Sequence, residues 1–142
     1  MTQQYTTTPL PAGGADDAVR RELQDLRHRV PGVGGCVIAG ADGLLITYET
    51  AGNADPHDLA ALAAATVGVG RQAGFVLRHG AIQDSTIRSA AGYFAVYTIG
   101  DRALLAVVGS DSTNVARLHI EARSVVARLA ELLPSMERGP RF

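Results

Sequence analysis

Lysine is absent from this chain, and its absence removes two kinds of chemistry. All 13 basic residues are arginine, so no side-chain amine is available for Schiff-base catalysis or for the phosphate-binding lysine of a P-loop. An excess of one charge is also lacking, because 14 acidic and 13 basic residues leave a net charge of -1. Proteins that bind nucleic acids or anionic membrane surfaces carry a basic field. We therefore expect neither partner.

Cysteine and long apolar runs are equally scarce. The single cysteine, Cys36, excludes a disulfide within the chain and is compatible with a reducing cytoplasm. The sequence contains no run of 18 apolar residues that would form a membrane-spanning helix. Its first residues also lack the charged and apolar regions of a signal peptide. We therefore predict a cytoplasmic protein with no membrane insertion.

The length and the hydrophobic content of the chain are sufficient for one globular domain. Hydrophobic residues make up 46% of the 142 positions, which excludes a wholly disordered protein. Residues 1–15 are rich in threonine, proline and glycine with no apolar period, and residues 134–142 are broken by Pro134 and Pro140. We predict a disordered N-terminal tail over 1–15, a folded domain over 16–133 and a flexible C-terminal tail over 134–142.

Apolar residues spaced by three and four positions predict three helices. The first covers about 16–30 and the last begins at Val115, with the polar run from Ser110 to Thr113 as its N-terminal cap. The second opens with Asp55 as a cap and Pro56 at the first helical position. Gly80 is its expected stop.

Alternating or fully apolar segments between turn residues predict five short strands. They are Gly34–Ala39, Leu44–Tyr48, Ile82–Ser89, Tyr93–Ile99 and Ala103–Val108. Short turns join most of them, and Asp42-Gly43 is a strong hairpin signal. The sequence therefore predicts an α+β fold of order α-β-β-α-β-β-β-α, with a mainly antiparallel sheet whose faces are covered by helices.

Small residues are unusually frequent in the second helix. Gly68, Gly70 and Gly74 lie inside it, and each interior glycine costs about 1 kcal/mol relative to alanine. This predicts that another segment packs very close to the helix, or that the helix is interrupted. Ala60, Ala64 and Gly68 recur every four positions and would leave a shallow groove for a neighbouring backbone. The larger residues of the helix form one stripe, which consists of Leu59, Leu62, Thr66, Val69, Ala73 and Val76.

No arrangement of residues indicates catalysis, a metal site or a cofactor site. Cys36 has no neighbouring base and is best interpreted as a small hydrophobic residue. The four histidines lie on different elements without metal-ligand spacing. We therefore expect a protein that is not an enzyme. The polar residues that we expect to face a partner protein are at the end of the second helix: Arg71, Gln72, Arg78 and His79.

Three segments together resemble one family. The run Val33–Leu44 has the form strand, Asp-Gly turn, strand; Leu59–Ala65 is an alanine-rich helix start; and Ala91–Gly100 with Leu104–Val108 forms a terminal hairpin. In element order and glycine positions, residues 17–133 resemble the Roadblock (dynein light chain) family. Bacterial members encoded beside a sensor kinase and a Ras-like GTPase are the most similar.

The resemblance implies a profilin-like sheet of five strands, with one helix on one face and two on the other. It also implies a homodimer in which the second helix and the third strand each meet their copies. The residues implied at that interface are Ala60, Ala64, Val67, Gly68, Ile82, Asp84 and Thr86. The function implied is a homodimeric adaptor for a Ras-like small GTPase, in a complex that can include a sensor kinase.

A small-molecule sensor of the profilin-like or PAS-like kind is the alternative. Such a module needs a cavity of about 300 Å³ or more between sheet and helix. The sheet carries small residues such as Gly35, Ala95 and Ala106, which favours close helix packing instead. A cavity of that size would favour the sensor.

Overall fold

The computed structural model describes residues 13–137, with side chains for residues 16–134. Its elements are α1 (Gly13–Arg29), β1 (Val33–Gly40), β2 (Leu45–Glu49), α2 (Pro56–Val76), β3 (Asp84–Ser89), β4 (Gly92–Ile99), β5 (Ala103–Ser110) and α3 (Val115–Glu137). The predicted α+β fold and element order are confirmed. Most of the two predicted tails lies outside the described residues.

The five strands form one sheet in the order β2-β1-β5-β4-β3. Every neighbouring pair is antiparallel, so β2 and β3 are the two edges. The predicted Asp-Gly turn joins β1 to β2: Gly43 has φ +88°, and the Asp42 carboxylate accepts the Leu44 N–H at 3.0 Å. Glycine is favoured here because the left-handed region is costly for other residues.

Helices cover both faces of the sheet, two on one side and one on the other. α1 and α3 pack over one face, where their apolar stripes meet strand residues such as Ile38 and Leu105 in the larger core cluster. α2 packs over the opposite face, against Val37, Leu104 and Ala106. Consecutive strand residues point to opposite faces, so the central strands β1 and β5 are buried on both sides.

The predicted start of the last helix at Val115 is confirmed, but its predicted end and its predicted cap are wrong. Pro134 does not end the last helix, because α3 continues through it to Glu137; the buried Leu133 holds this turn against the core. The cap of α3 is Asn114 and not the Ser110–Thr113 run. The Asn114 Oδ1 atom accepts the Arg117 N–H at 3.0 Å, since Asn114 directly precedes the first helical residue.

The start of α2 is confirmed, and its end differs. The Asp55 carboxylate accepts the His57 N–H at 2.8 Å, and Pro56 is the first helical residue. The helix ends at Val76 with Leu77 as its cap, before the predicted stop at Gly80.

Candidate functional site

The inner face of α2 belongs to the core of the chain itself. Ala60, Ala63 and Val67 are fully buried against the strand side chains of the smaller cluster. Two residues that were predicted at a dimer interface, Ala60 and Val67, therefore have no surface to offer a second copy. Their burial follows from helical geometry, because steps of three and four place Ala60, Ala63 and Val67 on one stripe that faces the sheet.

The outer face of α2, which we define as Leu62, Val69 and Val76, is apolar and uncovered. These side chains are 47%, 73% and 64% exposed. The sequence pattern predicted one apolar stripe on this helix, from Leu59 to Val76. Leu59 is the one residue of that stripe that is buried in the described chain, so the stripe points mainly away from the sheet. A helix that is apolar on both faces is typical of one that is buried all round. Within this chain α2 is covered on one side only.

α2 is also the one helix in residues 13–137 that is long and apolar enough to cross a membrane by length and composition. Core helices of soluble domains have the same properties, so this is weak evidence for insertion. The inner face of α2 already packs on the sheet.

The glycines of α2 divide into two kinds. A Cβ atom at Gly70 would collide with the Ile82 side chain, and one at Gly74 would collide with the Gly80 carbonyl oxygen. The predicted close packing is therefore confirmed at these two positions, and the close neighbour is the segment leading into β3. A Cβ atom at Gly68 would meet nothing within 4 Å, so Gly68 is open to a second molecule.

The edge strand β3 contacts α2. It pairs with β4 on one side, and its other edge has no partner strand in the described chain. Thr86 is half-buried. The Asp84 carboxylate lies 3.5 Å from the Arg123 guanidinium on α3, so Asp84 is anchored rather than simply solvated. Ile87 is exposed on the same strand.

A groove of about 880 Å³ lies at the C-terminal end of α2. Arg71, Phe75 and Arg78 line one side, and Ile82 and Asp101 line the other. We call it the α2 groove. The structure therefore brings together Arg71 and Arg78, two of the four residues predicted to face a partner.

The other two predicted residues are elsewhere. His79 lies across the loop from the groove, beside the start of β3, and Gln72 is exposed on α2. Sequence reasoning missed Phe75, which is 80% exposed. The available signal was three consecutive large apolar residues, Phe75 to Leu77, directly before an arginine at a helix end.

One partly buried polar pair connects the sheet to α3. The Tyr97 hydroxyl lies 2.7 Å from the His119 Nδ1 atom. Burial raises the pKa of the Tyr97 phenol, and the nearby Asp84 carboxylate adds to the rise. The phenol is therefore neutral, and its hydroxyl shares a hydrogen bond with the imidazole of His119.

We expect Tyr97→Phe to lower the free energy of unfolding by about 1 kcal/mol, because the imidazole loses its buried partner. Urea denaturation measures this change. Tyr48→Phe is the control, since Tyr48 is half exposed at the other sheet edge. Equal stability of the Tyr97→Phe variant and the wild type would mean that the hydrogen bond contributes nothing.

The single thiol of the chain, Cys36, is buried. Burial raises the pKa of the Cys36 thiol to about 12, so its reactive thiolate form is scarce at neutral pH. Among residues 16–134, no three His, Cys, Asp or Glu side chains are grouped to hold a metal ion.

Comparison with known proteins gives one family. The Roadblock/LC7 domain family model matches residues 20–109. A Roadblock/LC7 domain from Streptomyces avermitilis is 24% identical, with a TM-score of 0.75 over 80% of this chain and 96% of that one. The gliding protein MglB from Thermus thermophilus is 14% identical, with a TM-score of 0.76 over 90% and 97%. MglB in a tetrameric arrangement is 13% identical, with a TM-score of 0.79 over 90% and 96%. No curated protein matches the chain.

Proposed function

Because the chain belongs to the Roadblock/LC7 domain family, we propose that it is a cytoplasmic homodimer that regulates a Ras-like small GTPase. The observation that carries this proposal is that one chain leaves two surfaces unpartnered, the apolar outer face of α2 and the free edge of β3. A single protomer leaves both surfaces in water, and a second copy would cover both.

The dimer is supported by the chemistry of the two surfaces. Fully burying a valine or leucine side chain gains about 1.5–3 kcal/mol relative to full exposure, and the side chains of the outer face still expose 47% to 73% of their surface. The backbone groups on the free edge of β3 find partners if a second β3 lies beside it. The proposed interface therefore consists of Leu62, Val69 and Val76 together with Ala64, Gly68, Ile82, Asp84 and Thr86. The tetrameric MglB structure is an example of assembly by a protein of this fold.

GTPase binding is supported by what surrounds the dimer surface. A twofold dimer presents each end of α2 twice, and arginines with exposed aromatic residues are typical hot spots of protein interfaces. Arg71, Gln72, Arg78 and His79 are the proposed contacts. Regulation through such a surface acts by stabilising one conformation of the GTPase, without a catalytic group from this chain.

Titration calorimetry with the Ras-like GTPase encoded nearest to this gene tests the proposal. We expect micromolar binding that differs between the GTPase loaded with a GTP analogue and the GTPase loaded with GDP. Binding weaker than millimolar in both states would contradict it. Equal binding in both states would leave a scaffold that cannot shift the nucleotide equilibrium.

A small-molecule sensor is the second candidate, and one observation favours it. The α2 groove exceeds the roughly 300 Å³ that a ligand site needs. The groove lies at the end of the sheet, however, while the space between sheet and helix is filled by side chains such as Val37, Ala63 and Leu104. The adaptor therefore remains the better-supported function.

A further inference from the structure

We propose that the α2 groove is the docking site for an acidic segment of the partner protein that carries a bulky apolar side chain. This inference rests on the proposed function, because the partner is the GTPase. It adds the chemistry of the segment that is recognised and the residues that recognise it.

The apolar part of the site is unusually exposed. Phe75, Val76 and Leu77 are consecutive large apolar residues at the end of α2, and each is more than half exposed. Phe75 and Ala81 line the groove outside the proposed dimer interface, and Val76 and Ile82 border both surfaces. An exposed aromatic ring beside an apolar groove gains free energy when a partner's side chain fills that groove.

The charged part of the site lacks a counterpart in the chain. The ion pairs among the described residues are made by Arg20, Arg29, Arg123 and Arg128. Arg71 and Arg78 form no ion pair or side-chain hydrogen bond in the part of the chain that the structure describes. Only one carboxylate, that of Asp101, lines the same groove. Guanidinium groups bind carboxylates through paired hydrogen bonds, so the complementary ligand brings its own acidic residues.

The backbone at Arg78 is a second, independent observation. Arg78 follows the helix cap with φ +59°, in the left-handed conformation that helices normally give to glycine at this position. Its N–H donates to the Phe75 carbonyl at 3.2 Å, and the His79 N–H donates to the Gly74 carbonyl at 2.9 Å. A long side chain is therefore held where glycine would be more stable. Costly backbone of this kind points to a function of the side chain.

The substitution Arg78→Gly separates stability from binding. We expect it to raise Tm by a few degrees, because glycine adopts this conformation without strain. We expect it also to weaken GTPase binding about tenfold or more. Arg71→Glu should weaken binding at least as strongly. Arg21→Glu is the charge control, since Arg21 is exposed on α1, across the sheet from the groove, and it should bind like the wild type.

Photo-crosslinking identifies the docked segment. The full chain with p-benzoylphenylalanine at position 75 is irradiated with the purified GTPase, and the crosslinked peptide is sequenced by mass spectrometry. The expected peptide contains aspartate or glutamate next to a large apolar residue. The same photoprobe at position 120, on the exposed surface of α3, should give no crosslink to that peptide.

The outcomes distinguish this inference from the function on which it rests. A wild-type chain that does not bind the GTPase overturns both. A wild-type chain that binds, with unchanged affinity in Arg78→Gly, overturns the docking site alone. A crosslink to a segment without acidic residues also overturns it. A last outcome uses decanoate, a small amphiphile. The docking site is also overturned if decanoate raises the Tm of the wild type but not of Arg78→Gly, while both bind the GTPase equally well. That result would assign the groove to a small amphiphile.

Discussion

Replacing Gly74 by alanine lowers the free energy of unfolding by about 2 kcal/mol, although alanine is the better helix former. The added methyl group would occupy the position of the Gly80 carbonyl oxygen. That oxygen belongs to backbone, so the segment leading into β3 must move as a whole. Overpacking of this kind costs about 1–3 kcal/mol, which exceeds the roughly 1 kcal/mol gained in helix propensity.

Gly68→Ala is the matched control in the same helix. A methyl group there meets nothing within 4 Å, so the variant should be more stable than the wild type by up to about 1 kcal/mol. Urea denaturation of both variants measures the difference. If the Gly74→Ala and Gly68→Ala variants were equally stable, the segment between α2 and β3 would not pack against α2 as described.

Val69→Arg converts the protein to a monomer. Val69 is the most exposed member of the outer face of α2, so the substitution leaves the protomer's own core unchanged. In the proposed dimer it places an unpaired charge between two apolar helices, which costs about 3–5 kcal/mol. Sedimentation velocity on the variant and the wild type measures the change in association.

Ile120→Arg is the control for this experiment. Ile120 is 67% exposed on α3, on the opposite face of the sheet, and its replacement should leave the dimer intact. A Val69→Arg variant that sediments like the wild type would contradict the proposed interface. Loss of the dimer in Ile120→Arg would assign the interface to α3.

Periodicity predicted the elements whose two faces differ. α1 and α3 each have one apolar and one polar side, and the sequence pattern identified them correctly. α2 is apolar on two faces, so its pattern could not distinguish the face that packs on the sheet. As a result Ala60 and Val67 were assigned to an interface, while the exposed Val69 and Val76 were grouped in the main apolar stripe.

The α2 groove was only partly predictable for a related reason. Arg71 and Arg78 were recognised as candidate contacts, but their meeting depends on where the chain turns after α2. That turn occurs at Arg78 because the following segment crosses the helix at Gly70 and Gly74. The position of the turn is therefore set by a contact between two segments of the same chain. The residues around Gly80 do not predict that contact from their own sequence pattern.

The central claim is that a second copy covers the outer face of α2 and the edge of β3. Light scattering on the wild-type chain at about 50 µM tests it most directly, because dimer population depends on concentration. The predicted result is a mass of twice the 14.8 kDa of one chain. A mass of 14.8 kDa at that concentration would contradict the account.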